Sequence, residues 1–403
     1  MEHSAAIIDA LAHAIVEGDP VDEFLRPVAE RYRTVIATRY RDLVRRLRAD
    51  EELRRVLAEH REELALTRQL LAPIRMRPGR WKVPAILTPG DLADWLALTP
   101  GELDWFADLK ELATRPKLCH YRYRLLDKGN GAMRVIESPK PRLKWIQQRI
   151  LSGILDIVTP HPAAHGFVKR RSVKTFAATH VSQRVVLRMD LRDFFPSIGG
   201  ARVQTVFRTL GYPEAVADLL GGIATNAVPR AVVRDPLYNR PHLPQGAPTS
   251  PSLANMCLYR ADCRLTGLAE SAGAQYTRYA DDLAFSGGGD FERCAERFST
   301  HAAAILHEEG FAVHHRKTRI MRQGVRQHLA GVVVNRRLNI WRDDFDRLKA
   351  TLTNCVRHGA ATQNRDERID FRAHLEGRVS YVESINLEKG RRLRAIFERI
   401  VWT

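Results

Sequence analysis

Two adjacent carboxylates interrupt an alternating stretch of apolar and polar residues in the second half of the chain. Residues 275–286 read Gln-Tyr-Thr-Arg-Tyr-Ala-Asp-Asp-Leu-Ala-Phe-Ser, which predicts a β-hairpin with Asp281 and Asp282 at its tip. Two neighbouring anions are unfavourable there unless a cation lies beside them. Mg²⁺ is a natural candidate, because proteins bind it through one or two carboxylates together with substrate phosphates. An Asp-Asp pair taken alone is also typical of a solvated turn.

A third carboxylate ends an apolar run earlier in the chain. Residues 185–190 read Val-Val-Leu-Arg-Met-Asp, which predicts a buried strand ending at Asp190, and two aromatic residues and a proline follow shortly after it. A neighbouring strand would bring Asp190 to the hairpin tip. Such a cluster can hold two metal ions roughly 3.5–4 Å apart, which activate a 3′-hydroxyl and stabilise a leaving pyrophosphate.

A segment rich in proline and glycine lies between these two stretches. Residues 243–255 predict a loop that enters a helix. Within the loop, Gln245 offers both donor and acceptor groups to a nucleotide, and Gly246 permits close approach of a base or sugar.

In chain order, the strand that ends at Asp190, the loop over residues 243–255 and the hairpin with Asp281 and Asp282 resemble motifs A, B and C of reverse transcriptases, and within that family the retron type of bacteria. The resemblance covers residues 76–400 and implies an α+β right-hand polymerase: fingers, a ferredoxin-like palm with an antiparallel sheet, and a helical thumb. An N-terminal helical extension precedes them. The expected boundaries are 1–75 for the extension, 76–335 for fingers and palm, and 336–403 for the thumb.

The resemblance also implies roles for individual residues. Asp190, Asp281 and Asp282 would bind two Mg²⁺ ions, and Lys317 would donate a proton to the pyrophosphate. The residues expected to handle the incoming dNTP are Arg134, Lys140, Asp193, Phe195, Gln245 and Gly246. Those expected to lie against template or primer are Arg170, Arg171, His180 and Gly331.

Some of these roles have a chemical rationale and a structural alternative. Arg134 is favoured over Lys140 because a guanidinium binds phosphate in a bidentate manner, although both fit a solvated basic edge. Phe195 would act as a steric gate against the 2′-hydroxyl of ribonucleotides, or it packs in the core with its aromatic neighbour. A histidine such as His180, taken alone, is more often a structural residue than a functional one. The alternative for Lys317 is an ordinary surface lysine.

Two positions depart from the retron pattern. Phe176 stands where an asparagine is expected before His180, and Leu329-Ala330 stand where Val-Thr is expected before Gly331. These differences affect the subtype and leave the carboxylates untouched.

Composition agrees with a nucleic-acid partner. Lys and Arg number 64 against 47 Asp and Glu, a net charge of +17. The five cysteines form no CxxC pair, which predicts buried thiols in a reducing cytoplasm rather than a zinc site or disulfides. No run reaches the ~20 apolar residues of a membrane span, so a cytoplasmic protein with no membrane partner is expected. The helical stretch 41–66 fits a solvated hairpin or an extension that binds a partner or RNA.

Other local patterns predict single elements. Pro73, Pro78 and Pro84 mark a linker into the core, and Thr99 is the expected N-cap of a helix with Pro100 in its first turn. Residues 118–138 predict a β-hairpin whose turn lies at residues 128–131. A helix is expected over residues 291–309 and a β-branched strand over residues 327–335. In the helical pattern that follows residue 341, Phe345, Leu348 and Leu352 form one apolar stripe.

The expected function is that of an RNA-directed DNA polymerase that copies a structured noncoding RNA. The retron resemblance implies priming from a 2′-hydroxyl of that RNA, a branched RNA–DNA hybrid product, an effector protein as partner, and a role in anti-phage defence. Two alternatives stay open. One is another bacterial reverse transcriptase, of the diversity-generating, intron-derived or abortive-infection type, and the other is an RNA-binding scaffold that silences an effector.

Overall fold

A computed structural model describes residues 25–33, 40–59, 81–110, 118–127 and 133–402, with isolated positions before and between these ranges. The chain forms two compact units. Unit 1 combines residues 1–159 with 195–257, and unit 2 combines residues 160–194 with 258–403. This division is discontinuous in sequence, unlike the three linear segments predicted above.

The described part of unit 1 includes three short helices, α1 (Arg26–Arg33), α2 (Tyr40–Ala49) and α3 (Glu51–Glu59). The helical prediction is confirmed for the part of residues 41–66 that is described, and its leucines, Leu47 and Leu53 among them, are buried in one apolar cluster. The predicted linker prolines at 73 and 78 lie outside the described residues. Asp50 caps α3 by accepting from the Leu53 N–H at 2.9 Å.

Two capped helices follow, α4 (Pro89–Leu96) and α5 (Pro100–Ala107). Thr99 accepts from the backbone N–H of Glu102, whose carboxylate accepts in return from the Thr99 backbone. The predicted cap at Thr99 and the proline in the first turn are confirmed.

The remaining elements of unit 1 frame a hairpin. Strands β1 (Tyr121–Asp127) and β2 (Met133–Pro139) pair antiparallel, and their predicted turn lies outside the described residues. Helix α6 (Pro141–Gly153) follows. The short helix α8 (Phe194–Ser197) contains the sequence position at which unit 2 ends and unit 1 resumes. The other helices of unit 1 are α9 (Gly200–Thr209), α10 (Glu214–Ala224) and α11 (Ser250–Cys257). The predicted loop into a helix at 243–255 is confirmed by α11.

Unit 2 is built on a four-stranded antiparallel sheet. Its strands are β3 (Val185–Asp190), β4 (Ala274–Tyr279), β5 (Asp282–Gly287) and β6 (Arg319–Arg322), in the spatial order β4-β5-β3-β6. Helix α7 (Val173–Ala178) precedes the sheet. Helices α12 (Tyr259–Ser271) and α13 (Gly289–Glu308) pack with it. The buried strand, the hairpin and the helix after it are confirmed.

A second hairpin replaces one predicted strand. The sequence predicts a continuous strand over residues 327–335, and this is wrong: β7 (His328–Leu329) and β8 (Val332–Val333) pair antiparallel. Ala330 and Gly331 form the turn, with φ of 45° and 85°. Positive φ at both central residues defines a tight hairpin turn.

Three helices complete unit 2, α14 (Arg342–His358), α15 (Phe371–Ile385) and α16 (Leu387–Phe397). The predicted apolar stripe on α14 is confirmed by Leu348 and Leu352, which are buried in a cluster shared with these helices and β8. Among the described helices, none is both long and apolar enough to cross a bilayer. All five cysteines are free thiols, but Cys263 is exposed, so the prediction that all are buried is wrong.

Candidate active site

Three carboxylates meet at one end of the sheet of unit 2. Asp190, the last residue of β3, lies directly opposite Asp282, the first residue of β5. Asp281 occupies the two-residue turn before it, and its carbonyl accepts a hydrogen bond from Leu191 N at 3.0 Å. The predicted meeting of Asp190 with the hairpin tip is therefore confirmed.

Two cations neutralise this end of the sheet. Lys317 Nζ lies 2.9 and 3.1 Å from the two carboxylate oxygens of Asp190. Arg188, two residues before Asp190 on β3, donates from Nε at 2.9 Å and Nη2 at 2.7 Å to one oxygen of Asp282. Lys317 was expected near the site, whereas Arg188 was not. Arg188 and Asp190 lie on one face of β3, because alternate residues of a strand point to the same side.

Negative charge is crowded around the turn. Burial raises the pKa of Asp281, and the neighbouring carboxylates of Asp282 and Asp190 raise it further. Burial also raises the pKa of Asp282, although Arg188 opposes that shift. A cation placed among these groups would favour their charged forms.

A divalent metal ion suits these residues. Within the described ranges, no three His, Cys, Asp or Glu side chains form a group that could bind a metal ion by themselves. Mg²⁺ needs only one or two protein carboxylates when substrate phosphates and water supply the other ligands. Asp190, Asp281 and Asp282 carry carboxylates of the required kind, and in this structure Lys317 contacts both oxygens of Asp190 while Arg188 contacts one oxygen of Asp282.

Backbone packing holds the carboxylate turn in place. Ala280 has a φ of 56°, in the left-handed region, and the backbone beside it leaves no room for a side chain at Gly166. His165 N donates to the Arg278 carbonyl at 2.7 Å. Residues 165 and 166 therefore support the hairpin that carries Asp281 and Asp282.

Of the four residues expected to touch nucleic acid, Arg170 and Gly331 are placed at backbone turns of positive φ. The guanidinium of Arg171 donates to the carbonyls of Pro162 and Ala164. Both cations border the segment that supports the hairpin.

His180 requires a correction. It has no exposed surface, and its ring nitrogens lie 2.7 Å from the hydroxyls of Ser286 and Thr277. A side chain enclosed in this way makes no contact with RNA, so His180 is a structural residue. Phe176, the departure from the retron pattern, is also fully buried and packs against this histidine.

The residues expected to handle the dNTP fall in both units. In unit 2, Asp193 adopts a φ of 46° and pairs with Arg192. In unit 1, Phe195 is half-buried, Arg134 is exposed on β2, and Lys140 Nζ donates to the Cys119 carbonyl at 2.6 Å.

The loop of unit 1 shows why residue 246 is glycine. Its φ is 135°, and a Cβ there would lie 2.7 Å from the Glu137 carbonyl oxygen. The sequence predicted close approach of a nucleotide, whereas the close neighbour in the structure is the backbone of β2. Glu137, Asn226 and His242, which no sequence pattern indicated, are buried together beside this loop.

Comparison with known proteins agrees with the motifs. Residues 126–346 match the reverse transcriptase (RNA-dependent DNA polymerase) family, a span that includes the three carboxylates and Lys317. The retron Mx65 reverse transcriptase of Myxococcus xanthus is 40% identical over 329 residues, covering 80% of this chain and 74% of that protein. The retron Ec86 reverse transcriptase of Escherichia coli is 31% identical, covering 68% of this chain and 79% of that protein.

Three further matches cover a smaller share of the matched protein. The retron Mx162 reverse transcriptase of Myxococcus xanthus is 36% identical, and the match spans 74% of this chain and 64% of that protein. Among solved structures, a foamy viral protease-reverse transcriptase in complex with double-stranded DNA matches 70% of this chain and 43% of its own, at 16% identity and a TM-score of 0.34. Telomerase from Candida albicans matches 68% and 54%, at 9% identity and a TM-score of 0.40.

The α+β architecture, the ordered motifs and the relatives agree with one another. The right-hand polymerase fold predicted from the motifs is the fold of this family. The chain belongs to the reverse transcriptases, the RNA-directed DNA polymerases, and within them to the retron type.

Proposed function

We propose that this reverse transcriptase copies a structured noncoding RNA into DNA by nucleotidyl transfer at the carboxylate end of the β3–β5 pair. The observation that carries the proposal is the direct opposition of Asp190 and Asp282, with Asp281 in the adjoining turn. Asp190, Asp281 and Asp282 would hold two Mg²⁺ ions, which activate the 3′-hydroxyl and stabilise the pyrophosphate when bound.

The other residues of the site bind, orient and protonate. Lys317 contacts Asp190 in this structure, and its ammonium can donate a proton to the departing pyrophosphate. Arg134, exposed on β2, binds the triphosphate, with Lys140 as a secondary contact. Phe195 excludes the 2′-hydroxyl, and Gln245, Gly246 and Asp193 complete the nucleotide site. Arg170, Arg171 and Gly331 contact template or primer.

We also propose that the product is a branched RNA–DNA hybrid, made by priming from a 2′-hydroxyl of the template RNA. Support comes from the three curated relatives described above, which are named retron reverse transcriptases and are 31–40% identical to this chain. An effector protein held by this ribonucleoprotein, acting in anti-phage defence, is the corresponding partner. The net charge of +17 suits binding of the RNA and of the hybrid.

The test expresses the chain together with its upstream noncoding region, then extracts nucleic acid and treats it with RNase and with debranching enzyme. Asp190→Asn removes one carboxylate charge from the site. Asp290→Asn is the matched control, because Asp290 is an exposed carboxylate paired with Arg293 on α13.

A short single-stranded DNA is expected from the parent chain and from Asp290→Asn, with a mobility shift after debranching, and none from Asp190→Asn. DNA without the debranching shift would refute the branched product and retain the polymerase. DNA that persists in Asp190→Asn would refute the assigned site.

A further inference from the structure

A buried carboxylate connects the β1–β2 hairpin to the loop that carries Gln245. Glu137 and His242 have no exposed surface, and His242 Nε2 lies 3.0 Å from Glu137 Oε1. Asn226 Nδ2 donates to the other oxygen, Oε2, at 2.7 Å. A carboxylate removed from water is costly unless its oxygens are satisfied, and here both are.

The geometry determines where the protons lie. His242 Nδ1 is 2.8 Å from the Arg240 carbonyl oxygen, which can only accept, so Nδ1 carries a proton. The second ring nitrogen faces Glu137 Oε1, and one further proton lies between the imidazole and the carboxyl group. The two side chains therefore act as one hydrogen-bonded pair that shares this proton.

On one side this pair is joined to the Gln245 loop. Glu137 N donates to the Gln245 carbonyl at 2.9 Å, and Gln245 N points to Glu137 Oε1 at 3.4 Å. Gly246 lies against the Glu137 carbonyl so closely that a Cβ would not fit. The position of Gln245 is thus set by the backbone and the side chain of Glu137.

On the other side the pair is joined to the segment that begins with Phe195. Asn226 and His242 exchange two backbone hydrogen bonds, at 3.0 and 3.1 Å. Leu243 N then donates to the Ile198 carbonyl at 3.0 Å, and Ile198 N donates to the Phe195 carbonyl at 3.1 Å. Hydrogen bonds joined by short stretches of backbone therefore link Glu137 to both Gln245 and Phe195.

We propose that Glu137 and His242 are positioning residues that set the spacing between Gln245 and Phe195, and with it dNTP affinity and discrimination against ribonucleotides. The proposal rests on the proposed roles of Gln245 and Phe195 at the nucleotide. Neither Glu137 nor His242 needs to touch the substrate, because each acts through the backbone of residues 242–246.

Glu137→Gln is the most informative variant, because it changes one contact of residue 137 and retains the others. A glutamine amide can donate to a neutral His242 Nε2 while its oxygen accepts from Asn226, so those two contacts are retained. The group facing Gln245 N then becomes a donor instead of an acceptor. His120→Gln is the matched control: His120 is a buried histidine of the same unit, and its ring contacts the Trp105 carbonyl at 2.8 Å.

Each variant is assayed by single-nucleotide extension of a supplied primer on an RNA template, with dNTP and rNTP titrated separately. For Glu137→Gln we expect a rise of about tenfold in KM for dNTP, the size of one lost hydrogen bond to a charged group. A fall in dNTP over rNTP preference should accompany it, with little change in kcat. If Glu137 had only a structural role, Glu137→Gln would lower thermal stability and the active fraction of the enzyme. Its KM for dNTP and its sugar preference would then equal those of His120→Gln.

Unchanged KM and sugar preference in Glu137→Gln would overturn the proposal. If Glu137→Gln does not fold, His242→Gln carries the same test, because it alters the partner of the same carboxylate oxygen. Gln245→Ala and Phe195→Ala separate the two levels of the proposal. If Gln245→Ala and Phe195→Ala change KM and sugar preference while Glu137→Gln does not, the positioning role is refuted and the nucleotide site is retained. If neither Gln245→Ala nor Phe195→Ala changes them, the assignment of the nucleotide site is refuted.

Discussion

Arg278 and Asp262 form an ion pair with no exposed surface on either side chain, joined at 2.9 Å from Nε and 2.7 Å from Nη2. The third nitrogen, Nη1, lies 3.1 Å from the carbonyl oxygen of Ala280. Tyr276 donates its hydroxyl to Asp262 at 2.8 Å. A single buried guanidinium therefore connects helix α12 to the turn that carries Asp281.

Replacing Asp262 with asparagine leaves the Arg278 charge buried and without its counterion. Breaking a buried pair from one side costs about 3–5 kcal/mol, and we expect a loss of that size in the free energy of unfolding, measured by denaturant titration. Asp290→Asn removes an exposed partner and should change it by less than about 0.5 kcal/mol. Equal effects in the two variants would contradict the role given to the buried pair.

Lys317→Met should slow nucleotide incorporation by about 10²-fold, since a positioned proton donor contributes at least that much. Its loss also leaves Asp190 without the ammonium that now contacts both oxygens. The measurement is the single-turnover rate at saturating dNTP. Arg316→Met, an exposed neighbour, should retain the parent rate. A Lys317→Met rate equal to the parent rate would rule out proton donation by this residue.

Ala330→Asn should raise the stability of the protein. Ala330 holds a φ of 45° in the turn between β7 and β8, a conformation that asparagine tolerates better than alanine. The gain should be about 0.5 kcal/mol, given that the left-handed region costs an L residue about 1–2 kcal/mol. Thermal unfolding is the measurement. Ala330→Val serves as the comparison, because a β-branched side chain at this φ should lower Tm. A Tm that falls in both variants would contradict the strain assigned to this position.

Acid should destabilise unit 2 through His180. Burial lowers the pKa of His180 to about 3. Its Nε2 carries the proton, because Thr277 already donates its hydroxyl to the Phe176 carbonyl and so accepts from the ring. The unfolded chain takes up a proton near pH 6.5 and the folded chain does not, so stability is full above pH 6.5 and falls as the pH drops toward 3.

The slope due to this residue approaches about 1.4 kcal/mol per pH unit, measurable by denaturant titration between pH 7 and 4. His180→Gln should remove that slope, while His301→Gln, which removes an exposed imidazole from α13, should retain it. Parallel pH profiles for the parent and His180→Gln would refute the assignment.

The sequence correctly predicted those elements that depend on residues close together in the chain. The alternation around Asp281, the apolar run into Asp190 and the cap at Thr99 each lie within a few residues, and each was confirmed. Retron resemblance supplied the order of the motifs and the polymerase fold.

The supporting contacts could not be predicted because they join residues that are far apart in sequence. Glu137 and His242 are separated by 105 residues, and His180 and Ser286 by 106. The error over residues 327–335 has a different cause: β-branched residues favour a strand, and Ala330 gives no local signal that it adopts a positive φ. Arg188 was missed because a lone arginine in an apolar strand has no distinctive spacing.

The discontinuous units have a consequence for synthesis on the ribosome. Strand β3 has both of its sheet partners downstream, and Asp282, opposite Asp190, emerges 94 residues after Arg188. At about 5–20 residues per second this interval lasts on the order of ten seconds. Throughout it, the apolar residues Val185, Val186 and Leu187 have no β-partner, so the nascent chain is most prone to aggregate before residue 282 is translated.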